Sequence, residues 1–80
     1  MGDIPWQLSP VQSWLARTAL GWTVADLARV AKVGQQTVGR FERGEALRPV
    51  AVEKIQRTLE TAGVILIDAD EGGPGVRLRR

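Results

Sequence analysis

The stretch from Thr23 to Phe41, TVADLARVAKVGQQTVGRF, constrains the fold of this chain more than any other. Thr23 is a favourable N-cap residue, and Asp26 stands three residues later, where its carboxylate can meet free backbone N–H groups of a first helical turn. Apolar residues then recur at the spacing of one helical face, at Val24, Leu27, Ala28 and Ala31. The pattern predicts a short helix that buries one side.

The second half of this stretch predicts a tight turn at residues 32–34 and another short helix. Val38 and Phe41 stand three residues apart and can anchor that helix inward. The other positions are polar or small, namely Gln35, Gln36, Thr37, Gly39 and Arg40. A helix with this outer face has no evident packing partner within the chain.

Composition limits the chemistry that the chain can perform. Its 80 residues include no cysteine and no histidine, which removes disulfides, thiol nucleophiles, most zinc sites and the commonest general base. We therefore expect no metal, no cofactor and no enzymatic activity. The net charge is only +2, so the distribution of the charges, rather than their sum, decides whether a polyanion can bind. No apolar run reaches membrane-spanning length and no signal peptide is visible.

The N-terminal residues predict an arm followed by a helix. Residues 1–8 are too short and irregular for an element of their own. Ser9 and Pro10 combine an N-cap with a first-position proline, so a helix should run from there to about Ala19. Two inward faces fit its spacing, one formed by Val11, Trp14, Leu15 and Thr18, the other by Ser13, Ala16 and Leu20.

The C-terminal third predicts one more helix and two strands. Pro49 opens a helix whose apolar face is formed by Val52, Ile55, Leu59 and Ala62, and Gly63 supplies its stop. The β-branched run at 64–67 and the alternating residues 76–79 flank a turn-rich segment, as two strands joined by a loop would. The chain is thus expected to be one mainly α domain over residues 1–80, made of an N-terminal arm (1–8), a helical core (9–63) and C-terminal strands (64–80).

Residues Leu20 to Gly44 resemble the Cro/repressor type of helix-turn-helix, an XRE-like or lambda-repressor-like family. The pair Gln35-Gln36 is similar to that of lambdoid phage repressors, and Arg48-Pro49 also matches, so the resemblance covers residues 13 to 62 or so. It implies a bundle of four helices that contains the helix-turn-helix, to which the chain adds a short C-terminal β-hairpin or strand pair. The second helix of the motif would be the recognition helix, which enters the major groove of DNA.

The resemblance also implies an ion pair between Arg17 and Glu42 that ties the first helix to the recognition helix. The alternative is two independent surface charges. We expect the inward face that this pair implies, formed by Ser13, Ala16 and Leu20, with Trp14 at the margin of the core. Removal of one partner would leave the other charge buried, at a cost of several kcal/mol.

Two positions depart from the family. Lys32 stands at a turn position that is usually glycine, and a left-handed backbone there would cost about 1 kcal/mol. Gly39 stands inside the recognition helix, where it costs about 1 kcal/mol relative to alanine. The recognition helix is therefore expected to be less rigid than is usual in the family.

DNA contacts are implied at and around the recognition helix. A glutamine amide can bond adenine N6 and N7 together, threonine can touch a thymine methyl group, and arginine can reach guanine. The expected base contacts are Gln35, Gln36, Thr37 and Arg40. The expected phosphate contacts are Thr23, Lys32, Arg43 and Arg48. Outside this framework, the same side chains would be an ordinary solvated surface.

Two functions follow as hypotheses. The first is a sequence-specific regulator of transcription, a repressor that binds double-stranded DNA in the cytoplasm and is nucleoid-associated when bound. The second is a protein-interaction module of the same fold, such as an antitoxin or adaptor, with Trp14 and strand 64–67 as its partner surface. Specific binding of duplex DNA distinguishes the two.

The C-terminal strands are expected to support a homodimer. An isolated two-stranded hairpin is marginal in water, so its apolar residues Val64, Leu66, Val76 and Leu78 need another surface. That surface is either the first and last helices of the same chain or the equivalent strand of a second chain. The continuous apolar run at 64–67 indicates burial on both faces, which favours pairing across chains.

Overall fold

A computed structural model describes residues 8–67 and 75–79 as four helices followed by a two-stranded antiparallel sheet. The helices are α1 (Pro10–Leu20), α2 (Val24–Ala31), α3 (Gln35–Glu42) and α4 (Pro49–Thr61), and the strands are β1 (Val64–Ile67) and β2 (Gly75–Leu78). The mainly α architecture and its C-terminal strand pair confirm the predicted fold class. The predicted arm up to residue 7 and most of the predicted loop between the strands lie outside the described residues.

Reciprocal side-chain caps begin the first two helices. The Ser9 hydroxyl accepts a hydrogen bond from the Gln12 backbone N–H at 3.2 Å, and the Gln12 amide oxygen accepts from the Ser9 N–H at 3.0 Å. Thr23 and Asp26 exchange the same two bonds, at 3.0 Å and 2.9 Å. The carboxylate of Asp26 accepts hydrogen bonds from the Thr23 backbone N–H, from the Thr23 side chain and from Arg29, and these bonds lower the pKa of Asp26. These caps satisfy N–H groups that the helix leaves free.

Left-handed residues end α1 and α2. Gly21 closes α1 with φ of 73°, and Lys32 closes α2 with φ of 60°. Lys32 is the single non-glycine residue with positive φ in the described ranges, so the strain predicted from its sequence position is present. The turn from Lys32 to Gly34 then sets α3 across α2.

The core lies between the four helices and the inner face of the hairpin. Its largest fully buried apolar side chains are Leu27, Val38, Ile55, Leu59 and Val64. In α1, Ser13 and Ala16 are completely buried, whereas Val11 and Trp14 are 45% and 51% exposed, which confirms the inward face chosen from the family resemblance.

One predicted core position on the last helix is wrong. Ala62 is exposed as the C-cap residue that follows the end of α4 at Thr61, and the left-handed turn comes after it at Gly63, which has φ of 104°. A polar residue, Gln56, is buried on this helix instead. Its amide oxygen accepts a hydrogen bond from the backbone N–H of Leu8 at 3.3 Å, which joins α4 to the start of the described chain.

The two strands pair with each other and pack on the chain's own helices, β1 on α4 and β2 on α1. Opposed residues share a face in an antiparallel pair, so the pairs Val64–Leu78 and Leu66–Val76 point toward the core. Val64 is fully buried, and Leu66 and Val76 are partly buried against the core.

The inner row, Val64, Leu66 and Val76, is therefore covered by the chain's own helices without a second chain, whereas burial of the outer face and pairing across chains stay predictions. The inner face is covered by helices α1 and α4, whereas Ile65 and Ile67 on the outer face remain 38% and 39% exposed. An apolar run gives no information on which of its faces is covered. Leu78, at the end of the inner row, is 37% exposed.

None of the helices in the described part of the chain combines the length and the hydropathy needed to cross a membrane.

Candidate nucleic-acid interface

The outer side of α3 forms the wall of an open groove. Two apolar side chains, Val38 and Phe41, are buried on the inner side of this helix and fix its rotation about its own axis. The residues that line the groove come from α3, its N-cap and its C-cap, and from the first turn of α2: Val24, Gly34, Gln35, Gln36, Thr37, Gly39, Arg40 and Arg43. All four side chains expected to contact bases therefore lie together on one surface, with Arg43 beside them.

The groove presents hydrogen-bonding groups that no partner in the described residues occupies. Gln35, Gln36 and Arg40 are exposed. Arg43, the C-cap residue of α3, is 66% exposed, and its guanidinium lies 3.8 Å from the carboxylate of Glu45, a loose surface pair. The surface offers amide donors and acceptors at one end and guanidinium groups at the other.

The other expected phosphate contacts do not line this groove. Thr23, Lys32 and Arg48 are exposed at three separate helix ends. The hydroxyl oxygen of Thr23 accepts a hydrogen bond from the Asp26 backbone N–H as part of the cap of α2. Arg48 is the N-cap residue of α4 and makes no side-chain cap. These residues surround the groove and do not form part of it.

An ion pair holds α3 to α1. Glu42 accepts hydrogen bonds from Arg17 Nη2 at 2.8 Å and from Arg17 Nε at 3.1 Å, a two-pronged geometry. The two side chains are 14% and 10% exposed. The hydrogen bond to Glu42 raises the pKa of Arg17 above its ordinary value. Arg17 Nη1 also donates to the backbone oxygen of Trp22 at 3.1 Å, so the same guanidinium ties the turn before α2 to this pair.

Sequence reasoning missed three contributors to the interface. The Ser13 hydroxyl donates to Glu42 Oε2 at 2.8 Å and completes the shell of the ion pair. The signal was available, because Ser13 stands one helical turn before Arg17 on the same face. Gly34 and Gly39 also line the groove, and the sequence gives no indication of this because glycine has no side chain that could suggest a contact.

A second shallow groove adjoins the first. Val24, Gly39 and Arg43 line both grooves, and the second is completed by residues of α1 and of the end of α3: Pro10, Val11, Trp14, Glu42 and Gly44. The half-exposed ring of Trp14 thus lies beside the outer surface of α3 and not on the opposite side of the molecule.

Comparison with known proteins covers most of the helical core. A model of the helix-turn-helix family matches residues 15–64, from within α1 to the first residue of β1. A search of curated proteins finds none that matches the chain.

Proposed function

Because the chain belongs to the helix-turn-helix family, we propose that it is a sequence-specific regulator that represses transcription by occupying a duplex DNA operator. The family is one of DNA-binding regulators. Such a protein would act in the cytoplasm, associated with the nucleoid while bound to its operator. No chemistry is needed for this action, because an occupied operator excludes other proteins from the same DNA.

The observation that carries the proposal is the outer surface of α3. An eight-residue helix with two buried apolar side chains presents four groups suited to base edges on its other side: Gln35, Gln36, Thr37 and Arg40. In the major groove a glutamine can pair with adenine N6 and N7, and an arginine with guanine O6 and N7. The Arg17–Glu42 pair would hold this helix at a fixed angle to the rest of the domain.

Phosphate contacts would surround this surface. We place Arg43 at the end of the recognition helix, Thr23 at the start of α2, Lys32 in the turn and Arg48 before α4 in this role. Guanidinium and ammonium groups neutralise phosphates without reading sequence, and each neutralised phosphate releases counterions. Binding would therefore weaken steeply as salt increases.

We propose that the protein acts as a homodimer on a two-fold operator. One recognition helix covers few base pairs, whereas two helices about 34 Å apart can enter successive major grooves. Since the inner face of the hairpin packs on its own helices, we assign the second chain to the outer face of the hairpin, where Ile65 and Ile67 are exposed.

Light scattering of the variant Ile65→Thr/Ile67→Thr tests this dimer. Threonine keeps the β-branched shape, so the hairpin should still form while the dimer dissociates at tens of micromolar. Val50→Thr, at a valine that is 56% exposed on α4, is the matched control and should stay dimeric. A monomeric wild-type protein, or a double variant that is as dimeric as the wild type, would contradict the proposed interface.

The base-reading surface is tested by selecting duplexes from a random pool and then comparing variants on the selected site. Gln35→Ala and Gln36→Ala should each weaken specific binding by about 1–3 kcal/mol and leave nonspecific binding unchanged. Thr61→Ala, at an exposed position of α4 away from the groove, should behave as the wild type. If both glutamine variants keep the wild-type ratio of specific to nonspecific affinity, the direct-readout proposal is wrong.

A protein-interaction module is the second candidate, and the exposed Trp14 favours it. A tryptophan that is 51% exposed next to Val11, itself 45% exposed, forms a surface of the kind that protein partners cover. An antitoxin or adaptor would co-purify with a protein and select no duplex from the pool. The two candidates thus differ in one experiment.

A further inference from the structure

Gly39 occupies the middle of α3, where glycine destabilises a helix. The fold favours glycine where the backbone is left-handed or where a neighbour leaves no room for a side chain. Gly21, Gly44 and Gly63 are of the first kind, with φ of 73°, 94° and 104°. Gly39 has no positive φ and lies within regular helix, so its backbone conformation would accept any residue.

Packing within the described residues does not require glycine here either. A Cβ built on Gly39 meets one atom within 4 Å outside the local helix backbone, Nη1 of Arg43 at 3.3 Å. That atom ends a long side chain that is 66% exposed, so it can move by the few tenths of an ångström needed. Glycine at this position therefore destabilises α3, and the packing of the described residues offers no compensating stabilisation.

The position of Gly39 indicates a role in binding and not in folding. Gly39 follows Gln35 by four residues and Gln36 by three, and it precedes Arg43 by four, so all share one helical face. It lines both the groove of the recognition helix and the adjoining groove beside Trp14. A side chain at Gly39 would project from the centre of the surface that is proposed to meet DNA.

We propose that Gly39 is a specificity-determining residue, whose bare backbone lets α3 lie against the major-groove edge of a base pair. This inference rests on the proposed function. A Cβ would add a carbon about 1.5 Å out from the helix backbone. Direct hydrogen bonds require donor–acceptor distances of about 2.7–3.2 Å. If the added carbon held α3 further from the base pair by only part of its own bond length, the contacts of Gln35 and Gln36 with the bases would weaken. Gly39 therefore sets how deeply the two glutamines reach.

A rival role for Gly39 is to leave room for Arg43 and so to place its guanidinium on a phosphate. The two roles make different predictions when Arg43 is removed. If Gly39 only accommodates Arg43, alanine at position 39 has no effect on binding in an Arg43→Ala background. If the backbone of Gly39 faces the base pair, the loss persists in that background.

The experiment compares Gly39→Ala, Arg43→Ala and the double variant on the duplex that the wild-type protein selects from a random pool, at low salt. Gly39→Ala should raise the midpoint of thermal unfolding by about 4–8 °C, because alanine is the better helix former. The same variant should lose at least about tenfold in specific affinity, the lower part of the range for one base contact, with nonspecific affinity unchanged. Thr61→Ala, which improves helix propensity away from the grooves, should keep the wild-type affinity.

A Gly39→Ala variant that is more stable yet binds the selected duplex as the wild type does would overturn the inference. So would a loss that disappears in the Arg43→Ala background, or a lower unfolding midpoint, since the latter would mean that the fold itself requires glycine. A wild-type protein that selects no duplex would instead defeat the proposed function, and the inference with it. A stabilised variant with a persistent loss of specific affinity in both backgrounds supports the inference.

Discussion

Replacing Glu42 by glutamine should destabilise the domain more than any other change of one carboxylate to an amide in the described chain. The carboxylate accepts three hydrogen bonds, from Ser13 and from two nitrogens of Arg17, and both members of the ion pair are nearly buried. Glutamine has almost the same shape but can accept at one oxygen only. Its NH₂ group would then face a guanidinium N–H, and the Arg17 charge would lose its counter-charge.

The magnitude follows from these contacts. Removing one partner of a buried ion pair costs about 3–5 kcal/mol, because the other charge is left buried without a partner. The residual exposure of 14% and 10% at this pair places the expected loss at the lower end, about 3 kcal/mol. An 80-residue domain has a total stability of about 4–12 kcal/mol. At about 4–8 °C per kcal/mol, the unfolding midpoint should fall by at least about 12 °C.

Urea unfolding followed by circular dichroism measures this loss. Glu45→Gln is the matched control, because Glu45 is 55% exposed and 3.8 Å from Arg43, and it should cost at most about 0.5 kcal/mol. The variant Arg17→Met/Glu42→Leu should cost less than the sum of its single changes, since it leaves no charge stranded. If Glu42→Gln costs no more than Glu45→Gln, the ion pair does not hold α3 in place and the reasoning is refuted.

Three further changes test separate parts of the account. Lys32→Gly should raise the free energy of unfolding by about 1 kcal/mol, measured in urea, because φ of 60° no longer strains the backbone. Because the pKa of Asp26 is lowered in the folded state, its carboxylate stabilises the fold fully above its ordinary pKa, and this stabilisation is lost as pH falls through the lower folded pKa. In Asp26→Asn, the unfolding midpoint should therefore depend less on pH in the acid range. Arg43→Ala and Arg48→Ala should each lower the slope of log affinity against log salt by about 1 for all sequences alike, and unchanged slopes would exclude phosphate contact at those residues.

Helix ends and the buried side of the helical core could be predicted from the sequence because the signals are local. The caps at Ser9 and Thr23, the strained Lys32 and the stop at Gly63 each depend on residues within one turn. The inward face of α1 could not be chosen from spacing alone, since Trp14 offered a competing stripe. It was decided by the resemblance that places Arg17 opposite Glu42.

The contacts of the hairpin could not be predicted from the sequence, because the residues that pack against it lie far away along the chain. Gln12 is buried, and its amide nitrogen donates to the backbone oxygens of Ile67 at 2.7 Å and Gly75 at 3.3 Å, joining α1 to both strands. A glutamine 55 residues before its partner gives no sign of this contact in the sequence. For the same reason the apolar run 64–67 could not show that the chain's own helices cover its inner face.

The residues of the candidate interface could be predicted from the sequence, but the shape of its surface could not. Gln35, Gln36 and Arg40 were expected on one exposed face, and the helical period is enough to place them there. The continuity of the two grooves through Val24 and Gly39 depends on how α1, α2 and α3 pack together. That arrangement is a tertiary property, and no local pattern encodes it.

Backbone amide NMR of the full chain, titrated with the duplex that it selects from a random pool, tests most directly the claim that the outer face of α3 meets DNA. The largest shifts should fall on Gln35 to Arg43 and on the first turn of α2, with smaller shifts at Arg48. The outer face of the hairpin, around Ile65, should not respond to DNA at a fixed oligomeric state. Shifts confined to the hairpin and α4, with α3 unchanged, would contradict the account.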